Sequence, residues 1–314
     1  MRKPWRFLIG LLWAAGAQAQ GQIYGIAGKS ADDPNYVAAW RGCAAEAQLW
    51  GDECSAIGRP GPARARVQDA AIVAALQRGL AGLAVAITNP RYLADSALAL
   101  AAQRRVPVVT FDTDVEPPQR VLRRVHIGPD EADIGRQLGE LVAARRPDGG
   151  ALCLLAGDNQ DAGTAARMAG VRRTLAQDPK RAEGARLAGE HGWREVARCP
   201  WFNGDDARRA LRQLTLALGE EQADAVVALG AWPFVDAGQY RAALGGVRGR
   251  VVVGATGTLS TGQKALLAEG LVQGYVSVDY EQMGRYAYRS MKRLATGHPV
   301  EPLIRIGAVV RQGL

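Results

Sequence analysis

Histidines, aromatic residues and closely spaced cysteines are scarce in this chain. It has three histidines, and only 6% of its 314 residues are Phe, Trp or Tyr. Its four cysteines include no CxxC pair, which argues against a zinc site or a redox-active dithiol. The basic residues are spread along the chain instead of forming one run, which argues against nucleic-acid binding. We therefore expect no metal, no cofactor and no nucleic-acid partner.

A long apolar run is also absent. The chain opens MRKPWRFLIGLLWAAGAQAQ, in which three basic residues flank the start of a short apolar run that is followed by Ala17-Gln18-Ala19. This is the pattern of a secretory signal peptide with its cleavage signal. The apolar run is much shorter than the roughly 20 residues of a membrane-spanning helix, and no later stretch reaches that length. We expect cleavage after Ala19 and a soluble protein in the periplasm.

The sequence Gly28-Lys29-Ser30 ends like a phosphate-binding loop, but the rest of that motif is missing. A Walker A loop has a glycine five residues before the glycine of Gly-Lys-Ser, and that position holds Ile23. Asp32 and Asp33 then follow where the N-terminus of a helix should face a phosphate. We therefore interpret Lys29 as an ordinary loop lysine.

Short apolar or β-branched runs alternate with amphipathic helical stretches along the rest of the chain. In the first half these include the strands QIYGIAG and LAVAIT and the helix NYVAAWRGCAAEAQLW. After RRVHIG the second half repeats the scheme, with EVARCPWF among its strands. Strands that alternate with helices predict parallel sheets, because a parallel crossover needs a return of helix length. The fold class is therefore α/β, with two doubly wound parallel-sheet lobes.

The four cysteines allow two disulfides in an exported chain. Cys43 lies in the first predicted helix and Cys54 in the next strand. Cys153 and Cys199 lie in two strands that the predicted fold makes neighbours. We favour the pairs Cys43–Cys54 and Cys153–Cys199.

In open α/β sheets, ligands bind beyond the carboxyl ends of the strands. The predicted strand ends carry carboxylates, amides and aromatic rings. Such a mixture suits a small polyhydroxylated molecule, because rings stack on its C–H faces and carboxylates accept from its hydroxyls. The strand ends of the first lobe give Asp32, Asp33, Tyr36, Thr88, Asn89, Asp112, Thr113 and Asp114. Those of the second lobe give Asp158, Asn159, Trp201, Phe202, Asn203, Ala231, Trp232 and Thr256.

Six segments follow one another in an order and spacing that is rather specific. They are DDPNY (32–36), VPVVTFDTD, HIGPDEADIGRQLGEL, Arg167 with Gly170, VVVGATGTL and DYEQMGRYA. Together they resemble the type I periplasmic binding proteins of the ribose-binding, sugar-transporter cluster. The resemblance covers nearly all of the mature chain.

The resemblance implies two lobes joined by a three-segment hinge. The crossings are expected near residues 124–128, near residues 278–280 and in the C-terminal IRIGAVV. After a signal peptide of residues 1–19, the N-terminal lobe would comprise residues 20–125 plus 279–305. The C-terminal lobe would comprise residues 126–278 plus 306–314.

The resemblance also implies roles for single residues. Asp112 matches the aspartate that holds sugar hydroxyls, and Arg167 matches the arginine that bridges from the second lobe. Simpler interpretations stay open, since Asp112 could cap a turn and Trp232 could cover the end of a sheet. With the strand ends added, the predicted ligand-binding residues are Asp32, Asp33, Tyr36, Asn89, Asp112, Thr113, Asp114, Arg167, Trp201, Phe202, Trp232 and Thr256.

The sequence departs from the family pattern at three places in the second lobe. Thr256 stands where many relatives have an aspartate, Ala231-Trp232 where they have Asn-Asp, and Val278 where a glutamine is frequent. Three polar contacts are therefore missing or replaced. This weakens the case for ribose or another simple pentose as the ligand.

The resemblance implies a monomeric periplasmic protein that captures a small polar ligand, foremost a sugar, and delivers it to the permease of an ABC transporter. The alternative is a sensor of the same fold that signals to a membrane histidine kinase or chemoreceptor. We expect no enzyme activity. Asp112 and Asp114 lie two residues apart on an extended segment and point the same way, whereas glycoside hydrolysis needs carboxylates on opposite sides of the bond.

Overall fold

The structure is a computed structural model that describes residues 21–157 and 162–313. The predicted signal peptide and its cleavage after Ala19 lie outside the described residues, and so do Asp158 and Asn159. Within the described part of the chain, no helix has both the length and the apolar character needed to cross a bilayer.

The described residues form strands and helices that mostly alternate along the chain. The strands are β1 (Ile23–Ala27), β2 (Glu53–Ile57), β3 (Gly82–Val85), β4 (Val108–Phe111), β5 (Val125–Pro129), β6 (Gly150–Ala156), β7 (Trp193–Glu195), β8 (Trp201–Phe202), β9 (Ala225–Ala228), β10 (Val251–Thr256), β11 (Gly274–Val278), β12 (Leu303–Ile306) and β13 (Ala308–Gln312). The α-helices are α1 (Pro34–Gln48), α2 (Ala65–Arg78), α3 (Pro90–Leu93), α4 (Ala99–Gln103), α5 (Glu131–Arg145), α6 (Ala162–Leu175), α7 (Ala207–Leu218), α8 (Ala237–Leu244), α9 (Thr261–Ala268) and α10 (Tyr280–Ala295).

One predicted strand is divided in the structure. The prediction of a single strand over EVARCPWF is wrong, because β7 ends at Glu195 and β8 begins at Trp201. Between them the chain turns, with the Cys199 N–H donating to the Val196 carbonyl at 3.0 Å, and Pro200 then has no N–H to donate to a neighbouring strand.

The strands form two sheets. The first has the order β12-β5-β4-β3-β1-β2, and all of its neighbours are parallel. The second has the order β13-β11-β10-β9-β6-β7, with β8 also paired to β6, and β13 is its one antiparallel strand. These two mainly parallel sheets confirm the predicted α/β fold with two doubly wound lobes.

The chain passes between the sheets three times. It leaves the first sheet after β5 and enters α5, which packs on α6 of the second lobe. It returns after β11 into α10, which packs on α1, and it crosses last between β12 and β13. The lobe boundaries remain a prediction, but β5 is paired on both sides within the first sheet, which favours a first crossing after Pro129 instead of after residue 125.

The helices begin at the carboxyl ends of the strands, and aspartates cap several of them. In each case the side chain accepts a hydrogen bond from a backbone N–H of the first turn, which is otherwise without a partner. The aspartates that cap α1, α5, α7, α8 and α10 in this way are Asp33, Asp130, Asp206, Asp236 and Asp279. Acidic side chains are therefore concentrated at the sheet edges where a ligand would bind.

The core explains why the strands read as continuous apolar runs. Every residue of β3, β4, β9, β10 and β11 is buried, as expected for parallel strands covered by helices on both faces. Both predicted disulfides are present, so the pairs Cys43–Cys54 and Cys153–Cys199 are confirmed. The first ties α1 to β2, and the second ties β6 to the turn before β8.

Candidate functional site

Asp112 is the centre of a cluster of polar side chains at the carboxyl end of β4. Its φ of 60° lies in the left-handed region, which Asp tolerates better than most residues. Tyr36 donates a hydrogen bond of 2.9 Å to Oδ2, and Tyr280 donates one of 2.7 Å to Oδ1. The amine of Lys29 lies 3.6 Å from Oδ2. Because a carboxylate offers about four acceptor positions, the two tyrosines orient Asp112 and leave acceptor capacity for a ligand.

Three elements bring this cluster together. Tyr36 lies in the first turn of α1, Tyr280 begins α10 at the second crossing, and Lys29 follows β1. The rings of Tyr36 and Tyr280 meet edge to face, with centroids 6.2 Å apart. Burial, and next the charge of Asp112, raises the pKa of both tyrosine hydroxyls, so they stay protonated and donate at neutral pH.

Two members of this cluster were missed or discounted in the sequence. Lys29 was interpreted as an ordinary loop lysine, yet its amine faces Asp112. Tyr280 was not among the predicted site residues, although it lies in DYEQMGRYA directly after a predicted crossing. Its position at a predicted crossing could have pointed to a role in the site, since residues at a crossing lie between the two lobes.

Arg167 of α6 extends toward the strand ends of the second lobe. Its Nε donates to Glu131 at the start of α5, and one terminal amine donates to the carbonyl of Leu229, just after β9, at 2.7 Å. The other terminal amine has no hydrogen bond among the described residues. Gly170, one turn along α6, allows the close contact with α5, because an added Cβ would lie 2.4 Å from the Ala132 oxygen. The guanidinium is therefore held in place, with one terminal nitrogen that no described residue engages.

Trp232 forms an aromatic surface at the carboxyl ends of β6 and β9. A Cβ added to Gly157 or Gly230 would lie within 2.7 Å of its ring, so only glycines at these strand ends let the indole lie there. Trp201 and Phe202, in β8 beside β6, are half-buried, and the guanidinium of Arg198 lies 5.8 Å from the Trp201 ring centroid.

Several predicted residues make local hydrogen bonds that shape the loops. Asp32 accepts from the Ser30 hydroxyl and, at 3.0 Å, from the N–H of Gly61, which ties the loop after β1 to the loop after β2. Asp33 caps α1 by accepting from the N–H of Asn35 at 2.8 Å. These contacts are structural, and a ligand role for either aspartate remains a prediction.

The other polar residues at the strand ends are placed in a similar way. Asn89 is exposed and caps α3 by accepting from the N–H of Tyr92 at 3.0 Å. The hydroxyl of Thr113 donates to the carbonyl of Ile87 at 2.9 Å. Thr256 is buried as the last residue of β10. Their ligand roles also remain predictions.

Asp114 is occupied by its own neighbours. Arg123 donates to both of its oxygens, at 2.7 and 3.2 Å, and the hydroxyl of Thr110 donates at 2.6 Å. Burial by itself would raise the pKa of Asp114, but the hydrogen bonds from Arg123 and Thr110 outweigh burial and lower it. These contacts indicate that Asp114 anchors the segment that follows β4.

This lowered pKa predicts an acid-sensitive contribution to stability. Because the folded-state pKa of Asp114 lies below the unfolded value of about 3.9, its contribution is complete above that pH and is lost as the pH falls toward the folded-state pKa. We expect the Asp114→Asn variant to show a shallower fall of unfolding free energy below about pH 4. Urea unfolding at a series of pH values measures this slope. A slope equal to that of the parent protein would contradict the assignment.

The two lobes touch close to the site. The side-chain oxygen of Asn35, at the start of α1, accepts a hydrogen bond of 2.8 Å from the N–H of Thr258, which follows β10. Asp112, Tyr36, Tyr280 and Trp232 thus lie at strand ends, at helix starts or at a crossing of two lobes that are in contact, and the guanidinium of Arg167 reaches the end of β9 from within α6.

Comparison with known proteins identifies the family. Residues 24–299 match the model of the periplasmic binding protein domain. Similar solved structures include an arabinose-binding protein from Geobacillus stearothermophilus, with a TM-score of 0.78 and 14% identity over 93% of this chain and 97% of that chain. A glucose-galactose binding protein from the same organism has a TM-score of 0.73 and 17% identity over 93% and 97%.

A third similar structure is an ABC transporter solute-binding protein from Agrobacterium vitis, bound with α-D-tagatopyranose. Its TM-score is 0.73, with 18% identity over 93% of this chain and 94% of that chain. No curated protein sequence matches this chain significantly. Because the family model spans the chain from β1 to beyond α10, and because the fold is that of these solved structures, this protein belongs to the periplasmic binding protein family, with the type I fold.

Proposed function

We propose that the protein captures a small polar ligand, a sugar, in the cleft between its lobes and delivers it to the permease of an ABC transporter. The observation that carries this proposal is the geometry of Asp112. Its carboxylate is oriented by two tyrosine hydroxyls, is mostly buried, and keeps unused acceptor positions at the end of a strand. A sugar offers several hydroxyl donors that such a carboxylate can bind.

The ligand would be held from both lobes. Asp112, in the first lobe, accepts hydrogen bonds from ligand hydroxyls, while the second terminal nitrogen of the Arg167 guanidinium donates from the other lobe. The indole of Trp232 offers a flat face for the C–H groups of a sugar ring. Contacts from both sides stabilise the closed arrangement relative to the open one, since only the closed arrangement makes them all. The hydrogen bond from Thr258 to Asn35 would add to this preference.

Delivery to a transporter is favoured over signalling to a kinase or chemoreceptor. The Agrobacterium vitis neighbour is an ABC transporter component, and two further neighbours bind sugars by name. The proposed path begins with export by the N-terminal leader, cleavage after Ala19, and function as a periplasmic monomer without catalytic turnover. Purified protein that converted a bound sugar chemically would contradict this last point.

The test is thermal unfolding of the leaderless protein, with disulfides intact, against pentoses, hexoses, sugar alcohols, amino acids and small oxyanions. A ligand present at 100 times its dissociation constant adds about 2.7 kcal/mol to the stability of the folded state, which raises the midpoint visibly. We expect at least one sugar to do so. If only amino acids or oxyanions raise the midpoint, or nothing does, the proposal of a sugar ligand is wrong.

A further inference from the structure

A concave surface lies beside the crossing at residues 278–280, apart from the predicted ligand-binding residues. This hinge groove has a volume of about 1010 Å³. Its walls are α1 and α10 from the first lobe and α9 and β13 from the second, and the crossing at residues 278–280 lies along it. Tyr280 is shared with the Asp112 cluster, but none of the predicted ligand-binding residues lines the groove.

The hinge groove runs along a free strand edge. β13 is the last strand of the second sheet and pairs only with β11 among the described strands. Residues 309–312 all line the groove. Ser277 and Val278 of β11 line it too, so the groove spans both strands up to the edge that β13 forms. In an antiparallel pair, the residues of an edge strand alternate between facing the partner strand and facing away from it. Every second residue of β13 thus directs its N–H and C=O away from β11, without a strand partner.

Three basic side chains of the hinge groove have no counter-ion among the described residues. Arg41 of α1, Lys264 of α9 and Arg311 of β13 are exposed. No hydrogen bond or ion pair holds any of them within residues 21–157 and 162–313. They belong to both lobes, so the positive charge borders the groove on two sides.

The other basic side chains of the groove are already paired with acidic ones. Arg285 and Arg289 contact Glu46, and Arg285 also pairs with Glu281. Asp279 caps α10 through the N–H of the third residue after it. Asp279 keeps its negative charge, so the lining holds five basic side chains and two acidic ones, a clear excess of positive charge.

We propose that an extended acidic segment of a partner protein docks in the hinge groove by adding a strand to β13. Its backbone would pair with the free edge, while carboxylates on the segment would meet the cations of the groove. Val309 and Val310, 39% and 37% exposed, give the strand an apolar contact on each face. Charge complementarity and the free edge together favour a peptide strand over a small anion, which would use the cations alone.

The probe is a fluorescein-labelled, end-capped peptide of sequence Glu-Val-Glu-Val-Glu-Val, titrated with the mature protein in a fluorescence anisotropy measurement. We expect saturable binding that weakens as salt is added, since exposed ion pairs are screened. The triple variant Arg41→Gln, Lys264→Gln, Arg311→Gln should bind at least about tenfold more weakly. Absence of binding to the unmodified protein overturns the proposal.

The control is a second triple variant that loses the same charge elsewhere. Arg66, Arg145 and Arg212 are exposed on helices and do not line the hinge groove, so replacing them by glutamine should leave affinity nearly unchanged. Equal weakening in both triple variants would mean attraction by net charge alone and would overturn the proposal.

Two further ligands test whether the occupant is a strand. A version of the peptide with N-methyl groups on alternate residues keeps its charge but loses strand hydrogen bonds, and it should bind at least about tenfold more weakly. If it binds as well as the parent peptide, strand addition is wrong. Citrate at millimolar concentration should compete only weakly, and citrate that binds while the peptide does not would make this a small-anion site.

Discussion

We expect the Asp112→Ala variant to lose sugar binding, with affinity falling by about 100-fold or more. A hydrogen bond to a charged group contributes about 1.5–3 kcal/mol. Two sugar hydroxyls bound by Asp112 would thus account for at least about 3 kcal/mol, and 1.4 kcal/mol corresponds to a factor of ten. Isothermal titration calorimetry of the variant with the sugar that stabilises the parent protein measures this loss of affinity.

The Asp112→Asn variant separates the charge from the shape of the site. Asparagine also tolerates the left-handed backbone at φ 60°, and its side chain can still accept from one tyrosine hydroxyl. Alanine at this φ costs roughly 1–2 kcal/mol and also leaves Tyr36 and Tyr280 without their acceptor. We therefore expect both variants to bind poorly and the alanine variant alone to be markedly less stable.

The tyrosines provide the matched comparison. Tyr36→Phe and Tyr280→Phe each remove one hydroxyl that orients Asp112 but leave the carboxylate in place. Each should weaken binding less than Asp112→Ala does. If Asp112→Ala folds and binds the sugar with unchanged affinity, Asp112 is only a turn residue and the candidate site is misplaced.

The fold could be predicted because its signals are local. Parallel strands buried on both faces require continuous apolar runs, and their crossovers require helices. The apolar runs of the strands and the amphipathic pattern of the helices are therefore both visible in the sequence. The division of EVARCPWF shows the limit of this approach. β7 ends at Glu195, and a turn closed by the Cys199 N–H separates it from β8, although the composition of the segment is typical of a single strand.

The site could be predicted only in part, because two different tasks use the same residues at the same place. Asp33 and Asn89 stand at strand ends, where a ligand residue would, but both cap the next helix. Capping needs an acceptor at the start of a helix, and a sugar needs an acceptor at the end of a strand. In a βα unit these are the same position, so sequence does not separate them.

Contacts that cross between distant segments were the least predictable. Tyr280 is 168 residues from Asp112, and the hydrogen bond between them depends on how the second crossing returns the chain to the first lobe. Asp114 shows the converse. It stands two residues from Asp112, yet Arg123 and Thr110 engage it. Only the packed structure distinguishes these neighbours.

Replacing Arg172 by leucine should cost about 3–5 kcal/mol of unfolding free energy. Arg172 of α6 and Glu195 of β7 form a bidentate ion pair with distances of 2.8 and 2.9 Å, and their side chains are 5% and 0% exposed. Removing one partner leaves a buried charge without its main counter-ion, which is among the most destabilising single changes. Urea unfolding with disulfides intact measures the difference. The exposed pair Arg241–Glu269 has similar geometry, and Arg241→Leu should cost far less than Arg172→Leu, because solvent screens exposed ion pairs.

The double variant Arg172→Leu, Glu195→Leu tests the reason for this loss. If the buried charge is the cause, removing Glu195 as well should restore part of the stability. Recovery should be incomplete, because Glu195 also accepts from the N–H of Leu187, and an unpaired buried donor costs about 1–3 kcal/mol. A double variant less stable than Arg172→Leu would show that packing, not charge, dominates.

Since α6 also carries Arg167, the same pair holds the helix that presents the proposed sugar-binding arginine, so we expect Arg172→Leu to weaken sugar binding as well.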